Sequence, residues 1–82
     1  MPTFFRALGY SVLIYTHDHR PAHVYAVGPN GRCVFDLNCP DGPLELREAS
    51  GIATAQIRRL ARAIEPEIQA LCAQWRKFHG RY

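Results

Sequence analysis

Long hydrophobic runs are missing from this sequence. The apolar stretch Tyr10 to Tyr15 falls far short of the roughly 20 residues that a bilayer-spanning helix needs, which argues against a membrane span. The opening residues, Met1-Pro2-Thr3-Phe4-Phe5-Arg6, lack the basic-then-apolar layout of a signal peptide, so the expected location is the cytoplasm. Cysteine is scarce: Cys33, Cys39 and Cys72 are odd in number and form no CxxC pair, a poor basis for a disulfide framework or a zinc site. Reduced thiols are expected, with Cys33 and Cys72 on apolar stripes and therefore in the core. A phosphate-cradling glycine loop is also lacking, because Gly28-Pro29-Asn30-Gly31 has neither the following helix nor the lysine, which argues against ATP chemistry. Ser11 and Ser50 have no GxSxG context and Cys39 has no nucleophile signature around it, so a hydrolase nucleophile is unsupported. No cofactor is expected, and there is no internal repeat or low-complexity tract.

What is present suits one small domain. Eighty-two residues leave room for a single modest core, and 48% apolar with 21% charged content is an ordinary globular balance. The net charge of +3 is mild, but its distribution is uneven. In the last third, Arg58, Arg59, Arg62, Arg76, Lys77 and Arg81 face only Glu65 and Glu67. Such a surface could meet phosphate or an acidic protein; the competing reading is a solvated helix face.

The pattern predicts an α+β fold: a three-stranded antiparallel β-meander packed against two C-terminal helices. Strands are expected at about 10–16, 22–28 and 31–37, preceded by a short turn or helical stub ending at Gly9. Asn30-Gly31 supplies the positive φ values of a tight hairpin between the second and third strands. In the third, Cys33, Phe35 and Leu37 alternate with Arg32, Val34 and Asp36. Residues 38–49 read as a loop with a short extended edge, a fourth strand, at Leu44-Glu45-Leu46. Helices are expected at about 51–64, with Ser50 as N-cap, and 66–79, with a break at Pro66 and Gly80 as terminator. Ile68, Leu71, Cys72 and Trp75 recur at helical spacing as a buried stripe, with Trp75 as a core anchor. His79 is expected to be exposed in a frayed last turn.

Three of the four histidines, His17, His19 and His23, fall within seven residues, beside Asp18 and just before Tyr25. Period-two geometry puts His17 with His19, and His23 with Tyr25, on shared faces. Paired imidazoles can act as acid and base in phosphodiester cleavage near neutral pH. His19 or His23 as general base with Tyr25, Arg32 or Asp36 nearby is chemically sensible. A metal site is not expected, because the His spacing matches no closed-site pattern and Arg20-Pro21 interrupts it. In the competing structural reading, Asp18 and His19 bond the turn backbone before Pro21, while His23 and Tyr25 pack on the sheet with their polar tips satisfied.

The order of these features resembles the prokaryotic domain-of-unknown-function family 4160. The likeness rests on Pro2-Thr3, an apolar strand ending in Tyr15, the run Asp18-His19-Arg20-Pro21-Ala22-His23-Val24-Tyr25-Ala26, then Val34-Phe35-Asp36 and a helical end carrying Trp75. The family motif runs roughly His-x-Pro-Pro-His-Phe-His-Ala, which His19, Pro21, His23 and Ala26 match, whereas Ala22, Val24 and Tyr25 depart. Tyrosine titrates near pH 10 and cannot replace a neutral-pH acid–base histidine, though it can donate a hydrogen bond.

The resemblance implies a toxin-like component of a toxin–antitoxin module that acts on RNA or translation. If it is an enzyme, the first expectation is a metal-independent ribonuclease with His19, His23 and Tyr25 at its centre. Arg32, Asp36, Arg58, Arg59 and Arg62 would contact nucleic acid or partner. The alternative is a non-enzymatic inhibitor from a phage or mobile element, of the anti-CRISPR kind, covering a host protein or nucleoprotein complex. Expected partners are a cognate small antitoxin or a host complex, RNA, and a second copy joined through a sheet edge, with no membrane involved.

Overall fold

A computed structural model describes residues 3–15 and 19–82. The expectations placed on His17 and Asp18 lie outside the described residues. The class is α+β as the pattern predicts, but the sheet has five antiparallel strands: β1 (Thr3–Ala7), β2 (Tyr10–Leu13), β3 (His23–Val27), β4 (Arg32–Asp36) and β5 (Glu45–Ser50). Their order in the sheet is their order in the chain.

The alternation of side chains explains which face is buried. Val12, Ala26 and Cys33 stand opposite one another across β2, β3 and β4, and Val24 stands opposite Phe35. With Ile14 and Leu37 they form one apolar face, onto which the helices bring Leu60, Ile64, Ile68, Leu71, Cys72 and Trp75. Burial of each valine, leucine, isoleucine or phenylalanine among them contributes about 1.5–3 kcal/mol.

One segment expected as a turn or helical stub is a strand, and one expected strand is longer than its pattern suggests. The stub before Gly9 is β1, joined to β2 by the turn Leu8-Gly9, where both residues have positive φ (54° and 81°) as a two-residue hairpin of the twisted type demands. The short extended edge expected at Leu44-Glu45-Leu46 is present as β5, which begins at Glu45, runs on to Ser50 and pairs along the whole of β4, with one irregularity between Val34 and Phe35. Ser50 is therefore the last residue of a strand and not a helix cap.

The helical segment starts at Thr54, later than expected. It comprises α1 (Thr54–Ile64), a 3₁₀ turn (Glu65–Glu67) and α2 (Ile68–His79). The break expected at Pro66 is thus only a tightened turn, since a proline near the start of a turn needs no N–H partner there. Gly80, at φ +82°, ends α2 with its N–H on the Arg76 carbonyl at 2.7 Å, as the sequence predicts.

The expectation of three reduced thiols is corrected. Cys39 and Cys72 form a disulfide with Cα atoms 5.7 Å apart, leaving Cys33 as the free, buried thiol. The bridge ties the loop after β4 to the middle of α2, and Gln69 to Asp41 (3.5 Å) adds a polar contact there. No described helix is long and apolar enough to cross a membrane.

At the opposite end of the sheet, the β3–β4 turn packs backbone to backbone on the junction between β5 and α1. A methyl group on Gly31 would overlap the Ser50 carbonyl, and one on Gly51, at φ +75°, would overlap the Asn30 carbonyl. Only glycine permits this approach.

Candidate functional site

β3 begins with His23, and its neighbour across the ladder is Asp36, the last residue of β4. His23 is only 2% exposed. Its Nδ1 lies 2.8 Å from the Pro21 carbonyl oxygen, which can only accept, so the neutral ring carries its proton on Nδ1. The ring packs against Trp75 (centroids 5.2 Å apart) and Tyr25 (5.5 Å). Tyr25 in turn meets Tyr15 edge to face at 4.5 Å.

His79 closes the cluster. It stacks on Trp75 with centroids 4.0 Å apart and donates from Nε2 to the Tyr15 carbonyl at 3.1 Å, a carbonyl that likewise can only accept. The exposed, frayed His79 expected from the sequence is therefore corrected to a half-buried, hydrogen-bonded one. Trp75 is fully buried and donates from Nε1 to the Arg81 carbonyl at 3.0 Å. Helical spacing pairs Trp75 with His79 one turn apart, but nothing in the sequence pairs His79 with Tyr15.

The predicted residues separate into four places. His23 and Tyr25 share a face and touch, as period two requires. Asp36 is beside them, held by an ion pair to Arg47, a residue that sequence reasoning did not single out. The Asp36 oxygen in that pair is shielded from solvent and meets the guanidinium without the alignment of a hydrogen bond. Arg32 is exposed at the far end of β4, opposite Val27. His19 is exposed ahead of Pro21. Arg58, Arg59 and Arg62 are exposed on α1, which packs on β1, whereas the His23 cluster gathers at the end of α2.

This arrangement suits structure better than proton transfer at His23. A catalytic base must reach the proton it takes, and His23 is sealed under Trp75 and Tyr25 with Nδ1 committed to Pro21. His19 is the one of the two that solvent reaches. Among the described residues no three His, Cys, Asp or Glu side chains group to hold a metal ion.

The basic surface differs in character. Among the described residues Arg47–Asp36 is the one ion pair. Arg58, Arg59, Arg62, Arg76 and Lys77 are exposed on the helices, with no carboxylate partner among the described residues. Arg58 and Arg62 lie one turn apart, with Arg59 beside them, so α1 presents three guanidinium groups to solvent.

The model of the family described as Domain of unknown function (DUF4160) matches residues 9–76. The matched span takes in β2 to β5, both helices as far as Arg76, and the His19-Arg20-Pro21-Ala22-His23 run. No curated protein and no solved structure matches the chain.

Proposed function

The chain belongs to the DUF4160 family, and from that premise we propose that it is a non-enzymatic binding component that engages RNA, free or within a nucleoprotein complex. The observation that carries this reading is the set of exposed arginines on α1 that have no carboxylate partner among the described residues, together with Arg76 and Lys77 on α2. Guanidinium groups without carboxylate partners retain their full capacity for phosphate. In a two-gene module such a protein would act as a toxin by occupying RNA or part of the translation apparatus, and an acidic antitoxin would cover the same arginines.

Binding of a fluorescent single-stranded RNA, followed by anisotropy across a salt series, tests it. The triple variant Arg58→Ala, Arg59→Ala, Arg62→Ala should flatten the dependence of log K on log salt by about 2, at roughly 0.7 for each phosphate no longer neutralised. Wild-type binding that does not vary with salt would overturn the proposal. A second reading, a metal-independent ribonuclease, draws on the exposure of His19. RNA cleavage in EDTA that disappears in His19→Ala would put that reading in its place.

A further inference from the structure

The buried residues of both helices gather on one face of the sheet. Leu13, Tyr15, Tyr25, Val27 and Val34 lie outside that core. Leu13, Tyr25 and Val34 stand opposite one another across β2, β3 and β4, one step along from the core-facing row Val12, Ala26 and Cys33, so they belong to the other face. Tyr15 follows Leu13 by two residues and shares its side. Val34 is buried there, and the other four are half-buried. The solvated face of an antiparallel sheet is ordinarily polar. Here it carries a contiguous apolar strip with two tyrosines, the kind of surface that marks a contact.

The charges around the strip select the partner. The neighbouring row on the same face runs Arg6, Ser11, Val27 and Arg32 from β1 to β4. Arg6 lies between Phe5 and Ala7, which pack on the core, and both arginines are exposed with no carboxylate partner among the described residues. At strand spacing the two stand about 14 Å apart, and the row of Tyr25 runs parallel to theirs about 7 Å along the strands. β1, β2 and β3 hold no acid. On β4 and β5, Asp36 is paired with Arg47, Glu45 accepts a bond from Asn38 Nδ2 at 2.7 Å, and Glu48 stands on the outermost strand. The middle of the face is therefore aromatic and its flank over β1 to β4 is basic. The edge-to-face contact of Tyr15 and Tyr25 fixes both rings before any ligand arrives.

We infer that the open face of the sheet binds single-stranded RNA, with bases laid on Tyr15 and Tyr25 and phosphates held by Arg6 and Arg32. Aromatic rings on the uncovered face of a sheet accept unstacked bases with little regard to sequence, and flanking guanidinium groups hold the backbone. This assignment rests on the RNA reading proposed above and gives the bases a place that the α1 arginines do not provide. The two surfaces adjoin: β1 is an edge strand and α1 packs on it, so Arg6 stands at their border.

The test compares, by anisotropy, binding of the full chain to fluorescent oligouridylate and to a ribose-phosphate strand of equal length without bases. Oligouridylate should bind about tenfold more tightly, the worth of roughly one stacked base. The double variant Tyr15→Leu, Tyr25→Leu keeps the strip apolar; it should lose that advantage and bind the abasic strand as wild type does. The double variant Arg6→Ala, Arg32→Ala should reduce the slope of log K against log salt by about 1.4, at roughly 0.7 for each phosphate. A readout on the wild-type chain needs no substitution: RNA carrying 4-thiouridine should photo-crosslink within residues 7–32. Oligouridylate that binds no better than the abasic strand, or crosslinks confined to α1, would overturn the inference and leave the RNA reading standing. Failure of both strands to bind would overturn the two together. A dimer in sedimentation that the tyrosine variant abolishes would give the face to a second copy and overturn the inference as well.

Discussion

His79 donates its Nε2 proton to the Tyr15 carbonyl at 3.1 Å, joining the last turn of α2 to the segment that follows β2 across 64 positions of sequence. One turn earlier, Trp75 stacks on the same imidazole. The two contacts together dock the end of the helix. His79→Ala should lower unfolding stability by about 1–2 kcal/mol in urea denaturation, and His79→Phe, which keeps the stacking, by about 1 kcal/mol. Unchanged midpoints in both would show that the end of α2 is not held by this residue.

His19 and His23 belong to one motif but differ in burial, and stability should separate them. His23→Ala removes a ring packed on Trp75 and a hydrogen bond to Pro21, a loss of about 2–4 kcal/mol. His19→Ala, at an exposed position, should cost clearly less stability than His23→Ala. Comparable losses from both substitutions would contradict a structural role particular to His23.

The Cys39–Cys72 bridge closes a loop over a sequence separation of 33. A loop of that length restricts the unfolded chain by about 3–4 kcal/mol. Thiol titration of the denatured, unreduced protein should find one free thiol, Cys33, and three after reduction. The double variant Cys39→Ser, Cys72→Ser should melt at a lower temperature than the oxidised chain and at about the same temperature as the reduced one. Three thiols before reduction would refute the bridge.

Burial of Cys33 with no charged partner pushes its thiol up from 9.0 to about 11. The unfolded chain releases this proton near pH 9 while the folded chain retains it. The contribution of Cys33 to stability is therefore intact below pH 9 and falls as pH rises from 9.0 to about 11. Denaturation curves of wild type and Cys33→Ala, measured at intervals from pH 8 to 11, should converge in this direction. A constant difference between them would show that the thiol ionises equally in both states.

The parts of the fold that could be read from the sequence are those where burial writes a period. Cys33, Phe35 and Leu37 alternate because one face of β4 is covered, and Asn30-Gly31 marks the turn that precedes them, although neither residue takes the positive φ expected of it, because the turn spans residues 28–31 and is closed by the Gly28 N–H on the Gly31 carbonyl. Leu60, Ile64, Ile68, Leu71 and Trp75 recur at helical steps because that stripe meets the sheet. β5 left no such trace: all six of its residues are exposed, so pairing along β4 imposes no apolar alternation on it. β1 was hidden by its turn, where Leu8 stands in a conformation that leucine rarely adopts. The disulfide was illegible because it joins a loop cysteine to a core cysteine that already had a reason to be apolar. Of the candidate site, the contact of His23 with Tyr25 follows from period two. His79 and Arg47 entered through tertiary contacts that no local pattern announces.

A sheet whose spatial order equals its chain order has a bearing on how the protein is made. Each strand pairs with its immediate predecessor, so the whole meander needs only short loop closures and can form while synthesis proceeds. The residues that cover its apolar face, from Leu60 to Trp75, are translated after all five strands. Between the emergence of β4 and that of α2, Val12, Val24 and Phe35 face solvent. The nascent chain thus passes through an interval in which a partner or chaperone that shields this face would raise the yield of folded protein.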